Sequence, residues 1–189
     1  MLSVPLLQFA SAAVISYLGL LAGFFLASVT PEELPTGKRY FPLLQRLIIL
    51  IIGIFVTNFF GYGIALKLVA YAVLIALLML RINARLVYAV FGVLLFAVAI
   101  SVNTLLIVSS LIFIFGLVTG SDYFSQAVKR KSSKAEAAIG LLLRNAIYPA
   151  IALILFLLFF VLQACHACIN IFVHHLFRLA HHYIFAHLQ

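Results

Sequence analysis

The sequence predicts an all-α membrane protein: a bundle of about six transmembrane helices, two tight hairpins among them, followed by an amphipathic C-terminal helix at the interface. Three observations predict it. Of the 189 residues, 67% are hydrophobic and only 8% are charged, where a soluble domain carries roughly a quarter of its residues as charges. The apolar residues lie in runs approaching the ~20 that cross a hydrocarbon core. Most of the charges fall between those runs or beyond them. Lipid leaves no partner for an open backbone, so a spanning segment is a helix or part of a closed barrel. The runs lack the alternation and regular turn signals of barrel strands. One transmembrane domain over residues 1–162 and a histidine-rich tail over 163–189 are therefore expected, with no soluble domain.

The first span, Leu2–Val29, has no Lys or Arg before it, unlike the basic start of a cleaved signal peptide, so it is expected to stay. Gly19, Gly23 and Ala27 recur at four-residue intervals, as do Ala12 and Ser16. Small residues at this spacing let helix backbones approach closely, so this stripe is expected to pack within the protein or against a partner. Thr30-Pro31-Glu32-Glu33 has the form of a helix start, with a cap, a Pro at the first position and a Glu returning to the cap. It predicts a short helical turn in the first loop.

Leu43–Phe60 and Ile64–Leu80 are expected to form a hairpin. Asn58-Phe59-Phe60-Gly61-Tyr62-Gly63 supplies its turn, since glycine adopts positive φ at little cost. Leu86–Thr119 could be one helix of about 50 Å or two short ones, Leu86–Ile100 and Thr104–Thr119. Two crossings leave all the basic loops on one side, as the positive-inside rule prefers, and Ser101-Val102-Asn103-Thr104 is polar enough to turn. The hairpin is the expectation. These middle helices are short, so they cross a thinned region or form wedges in one leaflet. Ser133 and Glu136 have capping-box spacing and open the last span, Ala135–Leu162. Arg144 there can snorkel to the interface, and Pro149 should bend the helix.

The net charge of +8 is twelve Lys and Arg against four acids, and most of the basic residues form three clusters: Lys38, Arg39 and Arg46; Arg81 and Arg85; and Lys129, Arg130, Lys131 and Lys134. Their positions beside the spans point to topology and headgroup contact, with no nucleic acid as partner because no basic–aromatic module accompanies them. The expected location is a prokaryotic plasma membrane, with both termini outside and the basic loops cytoplasmic. The four acids, Glu32, Glu33, Asp122 and Glu136, are expected in loops or at helix ends. Ion-coupled transporters carry ionisable groups at membrane depth, and hydrolases need an acid, base or metal there. The spans offer neither.

Lys67 is the one charge near a membrane interior, and it can snorkel outward from the first hairpin. Asn58, Lys67, Asn103 and Asn145 are the candidates for a polar lining, although Asn58 and Asn103 also sit where a chain must turn. The tail holds Cys165, Cys168 and all six histidines. Chelation from one helix needs ligands three or four residues apart, whereas the two His pairs lie six to eight apart. Cys165, Cys168, His175 and His182 could hold a metal only with ligands from another segment or chain. The Cys165–Cys168 pair follows an apolar helix, the end that disfavours a thiolate. Asn170, His174, Arg178 and His181 share one tail face opposite Phe172, Leu176 and Leu179, the layout of an interfacial helix whose histidines charge as pH falls through about 6.5.

No Walker, dinucleotide, HExxH or GxSxG motif is present, and no cofactor is expected. Three readings follow, in order. The first is a non-catalytic integral membrane protein acting through helix packing: an accessory subunit, scaffold or assembly factor, whose partners are the bilayer and either another membrane protein or a second copy. The second is a small uncoupled channel or permease. The third is a membrane-shaping hairpin protein; two apolar hairpins followed by an amphipathic helix resemble reticulon-type proteins in layout alone. An enzyme is the least expected.

Overall fold

The first turn of the chain's first helix is set by Pro5, whose ring fixes φ at −60° and whose missing N–H costs nothing at a helix start. From there α1 runs over Leu6–Val29. The computed structural model describes residues 4–30, 32, 37, 40–61, 63–79, 84–129 and 133–162. Among these, regular structure is all α-helix. After α1 come α2 (Phe41–Phe59), α3 (Ile64–Met79), α4 (Ala84–Ala97), α5 (Val102–Lys129) and α6 (Lys134–Asn145). A turn at Ala146 leads into α7, residues 147–162. Four stretches are long and apolar enough to cross a membrane: α1, α2, α5, and the run Lys134–Leu162. With 16 and 14 residues, α3 and α4 are shorter.

Two units make up the chain, Met1–Leu153 and Ile154–Gln189. Within the second, the described part is the end of α7, where Ile154, Leu157, Leu158 and Phe160 are exposed. The histidine-rich tail, with Cys165, Cys168, His175 and His182, lies outside the described residues. The rest concerns the first unit.

Its centre is the α1–α5 pair. Gly19 of α1 meets the backbone of Phe113, and Gly23 that of Leu117; Gly116 and Gly120 of α5 meet the backbone at Gly19, Leu20 and Phe24. Residue numbers rise together along both helices, so α1 and α5 run parallel. Parallel neighbours require an even number of chain reversals between them. Among the described residues, turns break the helices at 60–61 and at 98–101. The single long helix over Leu86–Thr119 is thereby excluded. Tyr88 and Phe115 confirm the reversal at 98–101, since their rings lie 5.5 Å apart, whereas 27 residues of unbroken helix would hold them about 40 Å apart.

The first hairpin turns where Gly61 takes φ +63°, in the left-handed region that costs a residue with Cβ about 1–2 kcal/mol. Leu74 of α3 packs over Gly53 of α2.

Two expectations are corrected. The fifth span continues past Thr119 to Lys129. Gly120 does not break it because its bare Cα faces α1, and Ser121 ties its hydroxyl to Leu117 O and Gly23 O at 2.9 and 3.0 Å. Asp122 consequently sits inside α5, about two turns from its end, with its carboxylate accepting from Gln126 Nε2 at 2.9 Å. Thr30 closes α1, donating its hydroxyl to Leu26 O at 3.2 Å; the helical turn expected after it falls largely outside the described residues. Ser133 does cap α6 through Glu136 N at 3.2 Å.

Candidate functional site

Polar side chains inside an apolar bundle are the places where such a molecule can do more than fill space. The first unit collects them in one layer. From α1 come Ser16 and Tyr17, from α4 Tyr88, from α5 Thr119, from α6 Asn145, and from α7 Tyr148. Five of these six are buried, Ser16, Tyr88 and Tyr148 completely; Tyr17 is half-buried.

Helical spacing explains how they converge. Ser16 lies on the same α1 stripe as Ala12, Gly19, Gly23 and Ala27, and all five are buried. Its hydroxyl reaches Ala12 O at 2.7 Å and Ala13 O at 3.0 Å, and it also shares a hydrogen bond with Tyr148 Oη. Tyr17, on the flank of the stripe, donates to the carbonyl of Leu142 in α6. Asn145 and Tyr148 are three residues apart, on one side of their helices, and both turn inward. Asn145 Nδ2 donates back to Leu141 O at 2.8 Å. Pro149, without an N–H, can give nothing to the main-chain carbonyl of Asn145, which is consistent with the turn at Ala146.

Aromatic rings close the layer. Tyr88 lies edge-on to Phe91, Phe115 and Tyr148, with centroids 6.1, 5.5 and 6.1 Å away, and Tyr148 stacks on Tyr17 at 6.3 Å. Such pairs contribute about 0.5–1.5 kcal/mol each beyond the area they bury. Gly92 lets α4 approach the Tyr148 carbonyl and Ile151. Thr119 donates to Phe115 O at 2.9 Å and accepts from Gln45 Nε2 of α2 at 3.3 Å, so α2 also touches the layer's rim.

Two atoms of the layer stand apart. Tyr88 Oη and Asn145 Oδ1 are buried and meet no described atom in hydrogen-bonding geometry. Thr119 is a polar neighbour of Tyr88, and its hydroxyl, donating to Phe115 O and accepting from Gln45 Nε2, keeps a second acceptor lone pair.

The four lining candidates do not assemble into one path. Asn58 and Lys67 pair with each other across the first hairpin, Lys67 Nζ donating to Asn58 Oδ1 at 3.3 Å, and Asn58 Nδ2 donates to Ile54 O at 3.0 Å. Both face the surface. Asn103 is exposed in the first turn of α5. Asn145 alone is in the interior. Among the described residues, no group of three His, Cys, Asp or Glu side chains is placed to hold a metal. Tyr88 and Tyr148 escaped sequence reasoning because a tyrosine in a membrane span ordinarily marks the interface. Gly116 and Gly120 carried a readable signal, the four-residue spacing that Gly19 and Gly23 also show.

Comparison with family models, with curated proteins and with solved structures returns no match for this chain.

Proposed function

We propose that this chain is a non-catalytic integral membrane protein that acts through helix packing, as an accessory subunit, scaffold or assembly factor. The observation carrying this reading is the α1–α5 contact, in which glycines on both helices bring backbone against backbone. Close approach of this kind maximises dispersion contacts where lipid supplies no hydrophobic drive. It also leaves the centre filled: rings of Tyr88, Phe91, Phe115 and Tyr148 occupy the space a pore or active site would need.

Against this rigid centre, the α2–α3 hairpin offers surface. Of the described α3 side chains, none is buried, and Leu66, Leu68, Val69 and Val73 are all more than half exposed. We assign this hairpin to a membrane-protein partner or to a second copy, the remaining apolar surface to lipid. A prokaryotic plasma membrane with basic loops on the cytoplasmic side suits the same reading, since parallel α1 and α5 allow those loops to share one side.

Photo-crosslinking residues introduced at Leu68 and Val73 of α3, and at Ile15 of α1 as a lipid-facing control, test the proposal in native membranes. One protein adduct of defined mass, from α3 and absent from Ile15, is the expected result. Lipid adducts alone at all three positions, together with solute flux through liposomes above that of empty vesicles, would overturn it in favour of a channel.

A further inference from the structure

Arg144 is a charge without a counter-charge. It stands exposed on α6, and among the described residues it makes no ion pair or hydrogen bond. Its place is well inside an apolar run. It lies about 16 Å along the helix from the Ser133 cap. The contacts on either side of it, Tyr17 to the Leu142 carbonyl and Tyr148 to Ser16, both lead to the middle of α1. Its neighbours Ile139, Leu143 and Ile147 form an exposed apolar stripe at four-residue spacing, a surface suited to acyl chains. A guanidinium keeps its charge whatever surrounds it, and a charge left bare in hydrocarbon is costly. Arg144 therefore calls for an anion.

The residues beside it narrow the choice. Helical side chains lean toward the N-terminus, which carries Arg144 toward Gly140, one turn earlier on the same side. Gly140 leaves an opening there, because a methyl on it would lie 3.2 Å from Tyr123 Oη of α5. Tyr123 is half-buried, and its hydroxyl has no hydrogen-bond partner among the described residues. The adjacent Asp122 accepts from Gln126 on α5 itself at 2.9 Å. A forked cation and a neutral donor thus flank a bare Cα beside an apolar surface. We propose that Arg144 and Tyr123 seat the phosphate of a membrane phospholipid over Gly140. The guanidinium takes two phosphate oxygens in parallel, the hydroxyl donates to a third, and an acyl chain lies along Leu143 and Ile147. The lean of Arg144 is also toward the end of α6 where Lys129, Arg130, Lys131 and Lys134 gather in the sequence, an end suited to headgroups. A free anion would enter hydrocarbon alone, whereas a phosphate carried by a lipid brings chains that fit the stripe. This site lies on α5 and α6 and does not depend on the partner proposed for α2–α3.

Native mass spectrometry of the full chain, stripped in mild detergent and titrated with phosphatidylglycerol, reads the site. One lipid is expected to bind more tightly than the rest. Its affinity should fall about tenfold or more in Arg144→Gln, as the loss of a charged hydrogen bond predicts, and by less in Tyr123→Phe. Lys134→Gln, which removes an exposed cation at the start of the same helix, should leave it unchanged. Arg144→Lys keeps the charge but loses the fork, so it should weaken binding less than Arg144→Gln, and it serves the test even if Arg144→Gln fails to fold. No loss in either Arg144 variant overturns the proposal. So does an equal loss in Lys134→Gln, which would mean diffuse attraction, or displacement of the lipid by inorganic phosphate, which would mean a site for free anions. A photo-crosslinker at Leu143 gives the second readout in native membranes. A phospholipid adduct is expected; a protein adduct in its place would assign the guanidinium to an acidic side chain of a membrane partner and sink the lipid site.

Discussion

The α1–α5 pair and the α2–α3 hairpin are built from nearly the same composition, yet they stand at opposite ends of the packing scale. Over its most apolar stretch α1 is 44% buried and α5 50%, whereas α2 is 11% buried. The difference lies in where the small residues fall. Four glycines on α1 and α5 face one another in register, so two backbones touch. Gly53 in α2 has no counterpart of that kind; it faces the end of the Leu74 side chain, which can move. In the hairpin, Gly61 serves the turn and not the contact. Hydrophobicity alone thus sets solvent, and the register of small residues sets which helices become interior.

Four substitutions would break or sharpen that contrast, each followed by reversible denaturant unfolding in mixed micelles. Gly23→Ala should have the largest effect. Its new methyl would enter the space of the Leu117 carbonyl, and because backbone cannot step aside, we expect a loss of about 3 kcal/mol, the top of the range for overpacked interiors. A cost near zero would mean the two helices are not in backbone contact. Gly61→Ala comes next, at about 1–2 kcal/mol, from the left-handed φ alone; nothing lies near enough to clash. Tyr148→Phe removes the interhelical bond to Ser16 and should cost about 1 kcal/mol, within the span measured for such bonds in membranes. Gln45→Leu cuts the polar tie from α2 to Thr119 and should cost about 0.5 kcal/mol. If Gln45→Leu proved as damaging as Gly23→Ala, the hairpin would belong to the core and the contrast would fail.

Much of the fold was legible in single residues. Gly61 and the polar Ser101–Asn103 stretch announced the two turns, Ser133 and Glu136 announced the start of α6, and the small-residue stripe announced the inward face of α1. What remained hidden depends on partners distant in sequence. That Gly120 continues a helix follows only from its contact with Leu20 and Phe24, because glycine by itself weakens a helix. The same holds for the buried layer: Tyr88 and Tyr148, sixty residues apart, are interior because α4 and α7 meet there. Neither position has a local pattern that distinguishes it from an interfacial tyrosine.

The parallel pairing of α1 with α5 also sets a schedule. Gly23 leaves the ribosome ninety-odd residues before Gly116, which at ~5–20 residues per second is an interval of about 5–20 s. Throughout it the small-residue face of α1 exists while its mate is still unmade, and in a membrane it would be covered by acyl chains, by the insertion machinery or by another newly made chain. The order of synthesis thus leaves open, for seconds in each molecule's life, the surface that the finished fold closes most completely.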